Sequence, residues 1–190
     1  MTIWTNLAAF ANFETSRLKF RPFCYDDLDN FFQIVSSPDN LPFIFSSITD
    51  KEEAADFLVN QFMKSPLGVW ALEDRESRQL IGVIRLEKLN EQARQAEIGY
   101  FLKKDYWGQG LMTEALKNLV YLSFYHIGIQ RLLLITHLEN KASQRVAQKA
   151  GFQMLRQYRG SDRYSRKTRD YLLFGLDKST FNLSKYEEKI

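Results

Sequence analysis

Gly108 and Gly110 stand two apart in DYWGQGLMTEAL (residues 105–116), directly before a run that reads as a helix. Glycine costs backbone entropy on folding, so this pair implies a tight turn or a ligand that must come closer than a Cβ allows. A strand, a glycine turn and a helix N-terminus together make an anion site. The first-turn N–H groups lack internal partners, and the aligned peptide dipoles leave roughly half a positive charge there. Pyrophosphate suits such a site. The amides of Gly108, Gln109, Gly110, Leu111 and Met112 would supply it, although an isolated G-x-G is also compatible with a plain helix-entry turn. Two rival phosphate motifs are excluded. The spacing G-x-x-x-x-G-K-[ST] is missing, and G-x-G-x-x-G fails because Thr113 stands at its third glycine and no acidic residue lies near position 130.

Other reactive side chains spell out less. The two histidines, His126 and His137, and the single cysteine, Cys24, form no metal-ligand pattern, so no metal is expected. His126 belongs to a helix end, where a cation suits the dipole. His137 ends an apolar strand and reads as a half-buried, hydrogen-bonded residue. No Ser/His/Asp or Cys/His set is legible. RQYRGSDRYSRKTRD (156–170) carries six basic and two acidic residues with two tyrosines between them. It reads as a solvated loop, with contact to an acidic partner or ribosomal RNA as the alternative.

Hydrophobic period defines the elements that must position these residues. RLKFRPFC (17–24) alternates as a strand does. YDDLDNFFQIVSS follows as a helix with an apolar face of Leu28, Phe31, Phe32 and Val35. TDKEEAADFLVNQFMK carries a capping box, Thr49 with Glu52, and reads as a second helix. VWALED and QLIGVIRLEKL then form two strands joined by RESR. QAEIGYFL forms a third, its Gly99 marking a bulge or a close backbone approach. The glycine stretch leads into a helix over Thr113–Tyr125. RLLLITHL is almost continuously apolar, as a strand buried on both faces should be. NKASQRVAQKAGF is a short helix with Asn140 as N-cap and Gly151 at the left-handed C-terminal site. FQMLRQY and DYLLFGL are the last strands, flanking a basic loop. The order is β α α β β β α β α β β, a mixed α/β (α+β) single domain. Residues 1–13 form an N-terminal extension, 14–178 the domain and 179–190 a polar tail.

The chain has 190 residues, 45% of them apolar, with 15 Phe, 9 Tyr and 3 Trp, ample for one buried core. A net charge of +3 does not by itself argue for nucleic acid. One cysteine cannot form an internal disulfide and suits a reducing compartment. MTIWTNLAAFANFE lacks a basic leader and its apolar run is broken by Asn6, Asn12 and Glu14, so it is not read as a signal peptide. No stretch approaches the ~20 apolar residues of a membrane span. These features lead to the expectation of a soluble cytoplasmic protein.

YWGQGLMTEAL, preceded by AEIGYFL and followed by NKASQRVAQKAGF, resembles the GNAT superfamily of acetyl-CoA-dependent N-acetyltransferases. It is similar above all to the Rim-type branch, which acetylates the N-termini of ribosomal proteins. The opening ETSRLKFRPF and the closing DYLLFGL resemble that branch too, so the likeness spans roughly 14–178. One departure is Asp105, where the superfamily often has Gln or Arg three residues before the first glycine.

The resemblance implies a central, mostly antiparallel twisted sheet flanked by helices, with a V-shaped splay between the fourth and fifth strands. It implies acetyl-CoA as cosubstrate: backbone groups of Phe101 and Leu102 pairing with pantetheine as an added strand would, the loop Gly108–Met112 on the pyrophosphate, and Asn140 on the pantetheine arm. Glu97 would relay the proton shed by the amine, and Ser143 would assist the departing thiolate. The implied reaction is direct acetyl transfer to a primary amine, with a protein N-terminal α-amino group, as on a ribosomal protein, as the expected acceptor. A polyamine, amino acid or antibiotic acetyltransferase and a non-catalytic acetyl-CoA sensor are the alternatives. A ribosome contact through 156–170, and a monomer or homodimer, complete the expectation.

Overall fold

The computed structural model describes residues 2–162 and 167–182. The tail from residue 183, and Arg163 and Arg166 of the basic run, lie outside the described residues. Helix α1 (Ile3–Ala9) and the short strand β1 (Phe13–Glu14) precede β2 (Leu18–Arg21), α2 (Leu28–Val35) and α3 (Lys51–Leu58). Three strands follow, β3 (Val69–Asp74), β4 (Leu80–Asn90) and β5 (Gln95–Leu102), then α4 (Leu111–Leu122). The chain continues through β6 (Arg131–His137), α5 (Lys141–Lys149), β7 (Gln153–Ser161) and β8 (Thr168–Asp177). The strands hydrogen-bond in the order β1-β2-β3-β4-β5-β6-β8-β7, an eight-stranded mixed sheet. The β5–β6 pair is parallel, while β1–β2, β2–β3, β3–β4, β6–β8 and β7–β8 are antiparallel.

The chain divides into two compact units. One comprises 7–85 and 100–111. Its core packs Phe23, Phe31, Ile34, Val35, Leu58 and Phe62 against Val69, Ala71 and Phe101, and the rings of Phe31 and Phe62 meet edge-on at 5.4 Å. Alternation does the sorting in β2, where Leu18 and Phe20 are buried while Lys19 and Arg21 are half-buried. Helix α3 is capped by Asp50, whose carboxylate accepts from Glu52 N–H, rather than by the expected Thr49. An Asp one residue nearer the helix reaches the same orphan donors. The other unit comprises 1–6, 86–99 and 112–190. There α4 buries Ala115, Leu116, Leu119 and Val120, and α5 buries Ala147, spacings that follow the helical period.

Besides the cap of α3, several expectations about elements change, and helix α1 occupies the segment read only as an N-terminal extension. The strand count rises by β1, which pairs Phe13 with Phe20 and was too short to carry a period. The basic run is mostly ladder, because β7 and β8 remain paired out to Ser161↔Thr168. Strand β6 alternates, with Leu132, Leu134 and Thr136 buried and Leu133, Ile135 and His137 half-buried, so only one of its faces is fully covered.

Candidate functional site

The glycine loop as far as Leu111 belongs to the first unit. Gly108 and Gly110 have φ of +75° and +80°, values that L side chains rarely adopt. A Cβ on Gly108 would meet nothing within 4 Å, and one on Gly110 only the Arg17 guanidinium at 3.7 Å. The glycines are therefore required by backbone conformation and not by crowding within the protein. Helix α4 starts immediately afterwards, at Leu111. The loop is fastened at both ends. Trp107 Nε1–H donates to the Leu102 carbonyl at 2.7 Å, and the Gln109 side-chain amide donates to the Asp105 carbonyl at 3.0 Å. Arg17, on the turn before β2, donates from Nη1 to the Gln109 carbonyl at 2.9 Å. Sequence reading missed Arg17, since nothing in its spacing ties it to residues 92 positions away.

Phe101 and Leu102 end β5 in the same unit. The Phe101 carbonyl oxygen lies against β4, 2.5 Å from where a Cβ on Gly82 would stand. The close backbone approach expected at Gly99 is therefore at Gly82. At Gly99 a Cβ would meet only the flexible Glu87 carboxylate, at 3.2 Å.

The second unit holds Glu97, Asn140 and Ser143. Glu97 sits in the β5–β6 ladder opposite Leu133, and that ladder runs from Gln95↔Arg131 to Ile98↔Leu134. Its carboxylate takes both hydrogen bonds of an ion pair with Lys88 Nζ, at 2.8 and 3.0 Å. Lys88 itself has φ +48°. Asn140 caps α5, its side-chain oxygen accepting from Ser143 N–H at 3.0 Å, and Ser143 is half-buried in the first turn.

A row of side chains unforeseen as a set continues from Glu97 along the half-buried face of β6, β8 and β7. Tyr158 pairs with Tyr171 across the β7–β8 ladder, their rings stacked at 5.6 Å. Burial first, and the Glu97 charge second, push the Tyr158 phenol above its ordinary value. The Tyr171 and His137 rings meet at a tilt, centroids 4.6 Å apart, and the Tyr171 hydroxyl donates to Asp162 at 3.4 Å. Burial holds the His137 imidazole below the usual histidine value, against the pull of Asp162 at 3.6 Å. Tyr158 and Tyr171 fall within the expected strands FQMLRQY and DYLLFGL, but the register that sets them side by side with His137 has no local signal.

Cys24 lies beyond β2 and not within it, immediately before the short turn Tyr25–Asp27. Burial and the neighbouring Asp27 carboxylate raise its thiol, so it is a poor thiolate nucleophile. Asp27 belongs to a structural knot. Arg21 holds it with two hydrogen bonds at 2.7 and 2.8 Å and also reaches Glu73. Burial alone would raise the Asp27 carboxyl, but these bonds and the Cys24 N–H outweigh it and keep it below the ordinary carboxylate value.

The acetyltransferase (GNAT) domain model matches residues 17–153, and the chain belongs to that family. An uncharacterized N-acetyltransferase of Bacillus subtilis, YoaA, is 30% identical over 156 residues, covering 78% of this chain and 88% of its own. A ribosomal-protein-serine acetyltransferase of Escherichia coli is 32% identical over 74 residues, 39% of this chain and 41% of its own. Among solved structures, the microcin C7 self-immunity acetyltransferase MccE, in complex with acetyl-CoA and AMP, superposes with a TM-score of 0.76. It shares 13% identity and covers 86% of this chain and 93% of its own. The protein is thus an acetyl-CoA-dependent GNAT acetyltransferase, with Rim-type enzymes among its relatives. No helix among the described residues is long and apolar enough to cross a membrane.

Proposed function

We propose that the protein transfers acetyl from acetyl-CoA directly to the α-amino group at a protein N-terminus. The observation that carries the reading is the glycine loop: two consecutive-but-one residues with positive φ at the mouth of a helix. That geometry leaves backbone N–H groups of Gly108, Gln109, Gly110, Leu111 and Met112 for the pyrophosphate. Leu102 and Phe101 would line the pantetheine. Of their carbonyls, Phe101's is turned to β4 and Leu102's already accepts the Trp107 indole, so the Leu102 N–H is the group we assign to pantetheine. Asn140 would meet the pantetheine arm with its side-chain amide, since its oxygen serves the α5 cap.

The acceptor must be neutral to attack. An α-amino group titrates near ~8 and a lysine near ~10.4, so at pH 7 about a tenth of the former is ready and well under a thousandth of the latter. A carboxylate relay suffices more easily for the first. Glu97 would receive the proton through water as the C–N bond forms, and Ser143 would hydrogen-bond the thiolate as the C–S bond breaks. The raised Cys24 thiol supports a route without an acyl-enzyme. The name of the E. coli relative supports a ribosomal acceptor, and Arg156, Arg159, Lys167 and Arg169 on the β7–β8 hairpin suit an acidic partner.

A thiol-release screen of peptide N-termini, lysine side chains, polyamines and free amino acids with acetyl-CoA tests this. Release with peptide N-termini is expected. Release only with small amines would overturn the acceptor assignment, and tight CoA binding with no turnover would indicate a sensor.

A further inference from the structure

We infer that Arg17 is a positioning residue for the cofactor's phosphates, acting through the Gln109–Gly110 peptide. The inference rests on the glycine loop being the pyrophosphate site. Gly110 solves one problem and creates another. With no Cβ it adopts φ of +80° freely, yet it rotates almost as freely to other values. A rotation of the 109–110 peptide plane would exchange its N–H for its C=O on the face that an anion must meet. A carbonyl there repels phosphate, so the plane has to be held by something other than the glycine.

Arg17 holds it. Its Nη1 donates to the Gln109 carbonyl at 2.9 Å, and its Nη2 stands 3.7 Å from the position of a Gly110 Cβ. In a trans peptide the C=O and the N–H point in opposite directions. Drawing the Gln109 oxygen onto the guanidinium therefore turns the Gly110 N–H away from Arg17, toward the opposite face. A charged donor also polarises the amide, which makes that N–H a better donor. The arrangement places a positive charge beside the loop. The neighbouring lysines have other partners: Lys104 Nζ is 3.0 Å from Asp39, and Lys103 Nζ is 3.4 Å from the Gln33 side-chain oxygen and 3.7 Å from the Asp105 carboxylate. Arg17 is itself anchored, its carbonyl accepting from Arg75 N–H at 3.0 Å.

This assignment predicts a loss confined to phosphate-bearing ligands. Arg17→Ala should weaken CoA and dephospho-CoA about tenfold to a hundredfold, the range for losing a charge-assisted hydrogen bond. Binding of pantetheine, which lacks the pyrophosphate, should be unchanged. In turnover the KM for acetyl-CoA should rise by the same factor while kcat stays within about twofold, because the loop binds ground and transition states alike. Arg17→Lys should restore part of the affinity and Arg17→Gln less. The pantetheine arm guards against misfolding, since a damaged fold would weaken all three ligands together. Equal losses across the three ligands, or unchanged CoA affinity in Arg17→Ala, would overturn the inference. A parent protein that binds CoA no better than pantetheine would instead remove the glycine loop as pyrophosphate site, and Arg17's role with it.

Discussion

Alanine at Gly108, Gly110 and Gly128 makes a controlled comparison, because all three glycines lie at positive φ with room for a methyl group. Their φ values are +75°, +80° and +98°, and the nearest atom to any added Cβ is the Arg17 nitrogen, 3.7 Å from Gly110. Each substitution should therefore cost the same thing, about 1–2 kcal/mol for forcing a side chain into the left-handed region. For a chain of this length that lowers Tm by about 2–4 °C per kcal/mol. Ligand response should then separate the variants. With CoA at a hundred times its Kd, the parent gains about 2.7 kcal/mol on binding. Gly128, which ends the wide turn Ser123–Ile127, has no phosphate to meet, so Gly128→Ala should keep that whole gain. A Cβ at Gly108 or Gly110 displaces phosphate from the amides, and a loss of about a hundredfold in affinity leaves a gain of only ~0.4 kcal/mol at the same CoA concentration. Thermal unfolding with and without CoA measures both effects at once. If Gly108→Ala and Gly110→Ala keep the same CoA-induced shift as Gly128→Ala, the glycines serve a turn and the phosphate assignment is wrong.

Glu97→Gln should lower turnover about 10- to 100-fold and alter the acidic limb of the pH–rate profile, and Ser143→Ala should cost about tenfold with acetyl-CoA affinity kept. Parent-like rates for both, with chemistry limiting, would reduce them to an ion-paired strand residue and a helix residue. Gly82→Ala should destabilise by about 1–3 kcal/mol and weaken acetyl-CoA, because its Cβ would stand 2.5 Å from the Phe101 carbonyl and push β5 aside; an unchanged melt would show that the sheet yields there. His137, held below the ordinary value of 6.5 by burial, binds its proton more readily unfolded than folded. Stability should therefore be full above about pH 6.5 and fall as pH drops through that value toward the lower folded pKa. The His137→Gln variant should show a shallower loss between pH 7.5 and 5.5, and an equally steep one would assign the loss to other groups.

The fold was legible wherever period and punctuation agree. Strands β3, β4 and β5, helices α2, α4 and α5, and the Asn140 cap all follow from local alternation, amphipathic spacing or capping chemistry. β1 could not be read, because two residues cannot display a period and only pairing with β2 makes them a strand. The basic run misled for a related reason: Arg159, Gly160 and Asp162 look like loop chemistry, yet β8 supplies the ladder partners as far as Ser161. Of the candidate site, the glycine loop was legible because positive φ has a residue type of its own. Lys88 on Glu97, the Tyr158–Tyr171–His137 row and Arg17 on Gln109 are contacts between separate elements, which no local pattern encodes.

The central claim is best tested on a single peptide that carries a free α-amino group and an internal lysine, incubated at pH 7 with acetyl-CoA and the protein. Tandem mass spectrometry then locates the added acetyl group. The account predicts an acetyl on the α-nitrogen, formed faster than in a Gly110→Val control in which the phosphate loop is blocked. Acetylation of the lysine alone, or equal rates with the parent and the blocked variant, would contradict it.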